Sequence, residues 1–133
     1  MRVMGDYVLV VDDYPDVRHL VVQLLNTMGV ESQQAVNGEQ ALKMVDERMP
    51  RAIVLDLMMP VMSGFQMLTK LYNRKPNRTI PVILLSGVAD DHQMRMLPGV
   101  VGVLKKGSFS VEELRAMLLL ALGEKQVAKP ASS

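Results

Sequence analysis

The chain has 133 residues, 49% of them apolar, which suits one domain able to bury a sizeable core. Basic residues outnumber acidic ones by 15 to 14 and aromatics make up only 4%, too few for a basic face interleaved with stacking rings, so direct nucleic-acid binding is excluded as the expected function. Cysteine is absent, which excludes a disulfide framework, a thiolate metal site and a cysteine nucleophile.

The first apolar run, Tyr7–Val11, is closed by Asp12 and Asp13, so it is too short for a signal peptide, and no run is long enough to cross a bilayer. The expectation is a soluble cytoplasmic protein with no membrane partner. Tyr7–Val11 is essentially non-alternating, as strands buried on both faces of a parallel sheet are. Val17, Leu20, Val21, Leu24, Leu25 and Met28 follow with the spacing of one helical face, between Pro15 at a first helical position and Gly29 past the last apolar residue. His19 falls on the polar side of this helix and is assigned no role.

A weaker strand at Glu31–Val36 reads as an edge. A second helix opens at Asn37-Gly38-Glu39-Gln40 in the manner of a capping box and stops before Pro50. Ala52–Leu55 is the third strand, and a helix runs from about Gly64 to Asn73. Val82–Leu85 is the fourth strand. Asp90–Pro98 reads as a short helical segment ended by Pro-Gly, and His92 within it is assigned no role. Val100–Leu104 is the last strand. The last helix opens with the capping box Ser110-Val111-Glu112-Glu113, turns Leu114, Met117, Leu118 and Ala121 inward, and ends at Gly123. Its further apolar residues Leu119, Leu120 and Leu122 are either a wide core stripe or the surface of a homodimer or partner contact. Residues 1–123 are expected to form the domain and 124–133 a flexible tail or linker. Strands alternating with helices imply a parallel sheet covered on both faces.

In such a sheet, ligands bind in the crevice at the carboxyl ends of the strands. Asp12 and Asp13 follow the first strand, Asp56 the third, Ser86 the fourth, and Lys105 and Lys106 the last. Each has a duller meaning alone: paired acids before a helix favour its dipole, Asp56 can be a plain loop residue, Ser86-Gly87 a turn, and a lysine pair a solvated surface. Together, at successive strand ends, they make a chemical set. Carboxylates held close in a partly desolvated crevice must take up protons or recruit a hard cation. Carboxylate, carbonyl and water ligands suit Mg²⁺, or Mn²⁺, and Mg²⁺ commonly shares its shell with phosphate oxygens. A carboxylate can attack phosphorus, and transfer then needs in-line positioning and charge neutralisation, which a metal, an ammonium and a hydroxyl supply.

These residues resemble the motifs of the response-regulator receiver domain over nearly the whole chain, about Tyr7 to Leu122. The motifs are Val10-Val11-Asp12-Asp13, Asn37-Gly38-Glu39-Gln40-Ala41-Leu42, Leu55-Asp56 through Ser63-Gly64, Pro81-Val82-Ile83-Leu84-Leu85-Ser86, and Gly99-Val100 through Leu104-Lys105-Lys106. The resemblance implies a flavodoxin-like three-layer α/β/α sandwich around a five-stranded parallel sheet in the order 2-1-3-4-5. It implies that Asp56 receives a phosphoryl group from a phosphohistidine on a sensor histidine kinase or histidine phosphotransfer protein. Asp12, Asp13, Asp56 and the backbone carbonyl of Met58 would hold the metal, Ser86 and Lys106 would bond phosphoryl oxygens, and the phosphorylated form would act on an output domain or protein target.

The chain departs from the family pattern at Gly107, where a proline with a cis peptide is usual, and at Val103, where many relatives carry an aromatic that turns inward on activation. Ser63 replaces a common acid or amide, and the fourth helix is short. Met58 and Val88, which by resemblance flank the route of water, are apolar and imply slow hydrolysis of the acyl phosphate. Ser86 with the Asp90–Pro98 segment is the expected mobile element. Three rivals stand beside this reading. A haloacid-dehalogenase-type phosphatase would need a second acid where Met58 stands. A flavodoxin would need a hydroxyl- and glycine-rich loop where Asp12-Asp13 stand. A pseudo-receiver would bind partners without phosphorylation. The domain is expected either to stand alone or to be part of a longer regulator or hybrid kinase.

Overall fold

A computed structural model of the chain describes residues 7–74, 79–87 and 92–123. The expected tail at 124–133, Val88, and the first residues of the Asp90–Pro98 segment lie outside them. The described elements are β1 (Tyr7–Val11), α1 (Pro15–Thr27), β2 (Glu31–Ala35), α2 (Gly38–Glu47), β3 (Ala52–Asp56), α3 (Gly64–Arg74), β4 (Val82–Ser86), α4 (His92–Arg95), β5 (Val100–Lys105) and α5 (Val111–Leu122). The strands form one parallel sheet in the order β2-β1-β3-β4-β5.

The pleat sorts the apolar runs between two cores. Tyr7, Leu9, Val11, Ile53, Leu55, Val82, Leu84 and Val103 point to one face and pack against Leu42 and Val45 of α2 and Met67, Leu68 and Leu71 of α3. Val8, Val10, Ala52, Val54, Ile83, Leu85 and Leu104 point to the other, against Val21, Leu24 and Leu25 of α1 and Leu114 and Leu118 of α5. Both faces are covered, which is why these strands carry no polar alternation.

The helix ends follow local chemistry. Pro15 forces Tyr14 into extended backbone (φ −94°, ψ 116°), and Tyr14 is the N-cap of α1. The Asn37 side chain accepts the Gln40 amide at 2.8 Å, and the Gln40 side chain takes the Val36 amide at 2.8 Å. That return contact ends β2 at Ala35, one residue before the expected Val36. Ser110 and Glu113 close a reciprocal capping box on α5, and Gly123 ends it at φ 66°.

One expectation needs correction. Leu20, placed on the inward stripe of α1, is 40% exposed, because it sits about 100° round the helix from Val21 and falls off the edge of the buried stripe. The apolar excess of α5 divides: Leu122 packs at the margin of the core, Leu119 is half-buried and Leu120 is exposed. No helix among the described residues is long and apolar enough to cross a membrane.

Candidate functional site

The strand order reverses at β1, which pairs β2 on one side and β3 on the other. The crevice beyond the carboxyl ends of β1 and β3 is therefore the expected ligand position. Asp12 directly follows β1 and Asp56 is the last residue of β3; with Ser86 at the end of β4 they are the buried polar residues of the described chain, at 0%, 1% and 1% exposure.

Backbone groups orient both acids. Asp12 Oδ1 accepts the Tyr14 amide at 2.9 Å, while the Arg18 guanidinium donates to the Asp12 carbonyl at 2.8 Å. Asp56 Oδ1 accepts the Met58 amide at 3.2 Å. Asp13 is exposed beside them, and carboxylate oxygens of Asp12, Asp13 and Asp56 all lie within 4.8 Å of one another. Lys106 enters from the loop after β5, where its amide donates to the Ser86 carbonyl at 2.7 Å. Its Nζ lies 3.1 Å from Asp12 Oδ2 and 3.2 Å from Asp56 Oδ2. Lys105, its neighbour, is exposed on β5.

Charge is not balanced here: three carboxylates face one ammonium. Burial, and next the Asp12 carboxylate, push the Asp56 carboxyl up to about 6, against the opposing pull of the Met58 amide and Lys106. On Lys106, burial is the largest influence and would lower its value, yet the Asp12 and Asp56 carboxylates together outweigh it and raise it. Asp12 Oδ2 and Asp56 Oδ2 are buried and accept no well-aligned hydrogen bond, although the ammonium stands at ion-pair distance from both. Carboxylate oxygens of three neighbouring acids, with only one ammonium among them, are the donor set that a hard divalent cation takes. The residues present fit such an ion.

The site is also held from behind. Gly64, the first residue of α3, donates its amide to the Leu57 carbonyl at 2.9 Å. A Cβ there would stand 2.6 Å from the Asp56 carbonyl oxygen and 2.9 Å from Leu57 Cα, so only glycine lets α3 start this close to the end of β3. Gly107 takes φ +86°, which a proline ring locked near −65° cannot adopt, and no cis peptide occurs among the described residues. The turn after Lys106 is thus built on glycine. Val103 is buried in the core that α2 and α3 cover.

Of the six residues singled out from the sequence, Asp12, Asp13, Asp56 and Lys106 meet directly; the Met58 amide joins them and Ser86 lies at the adjoining strand end. Sequence reasoning passed over two others. Tyr14 binds Asp12 through its amide and lays its ring 5.7 Å from Lys106 Nζ. Arg18 reaches both the Asp12 carbonyl and, at 3.0 Å, the Gln34 side chain of the neighbouring β2 strand. The Tyr-Pro pair after two acids was the available signal for Tyr14. Arg18 had none, since its partners are a carbonyl and a residue on another strand.

Fold and site define a parallel α/β sandwich with an acidic crevice and one ammonium, and comparison with known proteins gives this class its name. The description "Response regulator receiver domain" matches residues 8–119. The chain is 32% identical over 110 residues to the "uncharacterized 14.6 kDa protein in sodA1 3′ region" of Leptolyngbya boryana, covering 81% of this chain and 84% of that one. It is 37% identical over 90 residues to the autoinducer 1 sensor kinase/phosphatase LuxN of Vibrio campbellii, covering 68% of this chain but 10% of LuxN. Among solved structures it resembles response regulator TrrA of Thermotoga maritima, determined in complex with Mg²⁺-BeF, at 30% identity and TM-score 0.73, covering 87% and 98% of the two chains. The chain belongs to the response regulator receiver domain family and is a receiver domain of the two-component type.

Proposed function

We propose that this receiver domain is a working phosphoacceptor, in which Asp56 takes a phosphoryl group from a phosphohistidine on a sensor histidine kinase or histidine phosphotransfer protein. The observation that carries the reading is the contact of one ammonium, Lys106, with the Oδ2 atoms of two buried carboxylates, beside a third acid that no such cation balances. A solvated surface lysine would not be drawn between two buried acids, and a purely structural ion pair would not gather three carboxylates around one ammonium.

In the proposed reaction, a carboxylate oxygen of Asp56 attacks phosphorus, the P–N bond to the donor imidazole breaks, and its electron pair returns to the ring nitrogen. Lys106 keeps positive charge beside the incoming phosphoryl oxygens, and the Ser86 hydroxyl donates to one of them. Asp12, Asp13, Asp56 and the Met58 carbonyl would hold Mg²⁺ or Mn²⁺, which when bound supplies the charge that lets a phosphoryl group approach three acids. The phosphorylated form would shift Ser86 and the loop that follows it and so act on an output domain or protein target. The position two residues after Asp56 is Met58, not an acid, so no general acid stands there to turn over outside substrates; Met58 and Val88, apolar at positions that in relatives flank the route of water, support slow hydrolysis of the acyl phosphate. A lifetime of seconds for the acyl phosphate would overturn that last expectation.

The test is intact-mass spectrometry after incubation with acetyl phosphate and Mg²⁺, beside an Asp56→Ala variant. A single phosphoryl increment that needs both Mg²⁺ and Asp56 is the expected result. No increment in the wild-type protein would reject the phosphoacceptor reading in favour of a pseudo-receiver that binds partners constitutively.

A further inference from the structure

Tyr14 has an unusual place for a large ring. It is 60% exposed and belongs to neither buried core, so it adds little to folding. Its backbone is nevertheless fixed at both ends: the amide is bonded to Asp12 Oδ1 at 2.9 Å, the carbonyl accepts the Arg18 amide at 3.2 Å, and Pro15 restricts it to extended backbone. An aromatic side chain is thereby carried on a rigid mount at the rim of the acidic crevice. Its ring centroid lies 5.7 Å from Lys106 Nζ, within cation–π range, and that same Nζ is 3.2 Å from the Asp56 carboxylate. The crevice floor is therefore all charge, and its rim carries a flat, exposed, apolar surface.

We propose that Tyr14 is a specificity residue for the phosphoryl donor: its ring offers a stacking face to a planar aromatic leaving group, an imidazole, as that group stands beside Asp56. The inference rests on the phosphoacceptor reading and deepens it. Two donor classes can deliver the same phosphoryl group to the same oxygen. With an N-phosphoimidazole protonated on its other nitrogen, the Asp56 oxygen forms the O–P bond, the P–N bond breaks, and neutral imidazole leaves. With acetyl phosphate the same O–P bond forms, the P–O bond to the acyl group breaks, and acetate leaves. The floor of the crevice treats both alike, because Lys106 and the acids act on the transferred group. Only the first leaving group has a π face for the ring to meet.

The two roles open to the ring separate experimentally. A ring that merely steadies Lys106 through its cation–π contact affects both donors equally. A ring that stacks on the leaving group affects one. The experiment measures the rate constants for phosphorylation of Asp56 by N-phosphoimidazole and by acetyl phosphate, both with Mg²⁺, in the wild-type protein, Tyr14→Phe and Tyr14→Ala. Tyr14→Ala is expected to lower the phosphoimidazole-to-acetyl phosphate rate ratio about two- to tenfold, equivalent to about 0.4–1.4 kcal/mol at 1.4 kcal/mol per factor of ten. Tyr14→Phe, which keeps the ring, is expected to hold the wild-type ratio. An unchanged ratio in Tyr14→Ala, whether both rates fall together or neither does, would overturn the assignment while leaving Asp56 as the acceptor. Failure of the wild-type protein to accept phosphoryl from either donor would overturn both readings.

Discussion

Asp56 illustrates how a buried carboxylate is held at a cost to the fold's stability. Its value of about 6 in the fold, against 3.8 in an unfolded chain, means that the folded form binds the proton more tightly. The stabilisation this gives is fully present below the unfolded value and is lost as pH rises through about 6. Asp56→Asn should therefore stabilise the metal-free protein by about 1–2 kcal/mol above pH 7, from roughly 1.4 kcal/mol per pKa unit discounted for solvent screening in the open crevice, and by almost nothing near pH 4. Urea titrations of both proteins at the two pH values check the sign, and equal stability at high pH would refute it. Val61 is a second cost near the site. It sits at φ 71°, 73% exposed, spanned by a Met62 amide to Pro60 carbonyl bond of 2.7 Å, a tight turn that a β-branched residue rarely adopts. Relief of about 1–3 kcal/mol of strain should exceed the roughly 0.5–1 kcal/mol entropic cost of glycine, so Val61→Gly should raise stability by about 1 kcal/mol, read as a higher denaturant midpoint.

At the scale of elements, the site depends on how closely helices begin to strand ends. The start of α3 presses on the backbone of Asp56 and Leu57, where a Cβ on Gly64 would meet atoms that cannot rotate away. Gly64→Ala should cost about 1–3 kcal/mol, as overpacking does, and should also weaken divalent-ion binding, because the strand end that carries Asp56 must shift. Calorimetric titration with Mg²⁺ beside a thermal melt separates the two effects; lost stability with unchanged ion affinity would show that the shift does not reach the carboxylate. The loop after β5 works from the other side, since the bond from the Lys106 amide to the Ser86 carbonyl ties the cation to the neighbouring strand end. Gly107 at φ +86° completes that turn with a conformation closed to proline.

Across the whole molecule, folding and the proposed ion binding would share the same electrostatics. The sheet buries apolar strands on both faces and brings three acids together at one end, so repulsion among them opposes folding, and a divalent cation there would relieve it. Mg²⁺ should therefore raise the melting temperature in proportion to the logarithm of its concentration above its dissociation constant, about 1.4 kcal/mol and on the order of 3–6 °C per tenfold. The increment should shrink as pH falls below about 6, where protons compete for Asp56, and should vanish in Asp13→Ala, whose exposed side chain removes charge without opening the core. A thermal shift series settles it, and an Asp13→Ala response equal to wild type would exclude Asp13 from the ion site.

The sequence by itself determined the order of strands and helices, because buried strands must be apolar without alternation and helix ends must carry caps, and Tyr7–Val11, Ala52–Leu55 and the Ser110 capping box state these needs locally. It also named the acids, serine and lysine at the strand ends, since side chains that follow buried strands have few other places to go. Where a residue's role depends on a partner distant in the chain, only the tertiary structure decided it. Leu20 matches the helical period yet escapes burial because it lies at the edge of the stripe whose buried centre is Val21, Leu24 and Leu25. Arg18 is marked by its contacts with the Asp12 carbonyl and Gln34, and the ring of Tyr14 by its place beside Lys106, across the sheet from its own loop. The same holds for Gly64, whose need for a bare Cα comes from the backbone of β3 pressing against it.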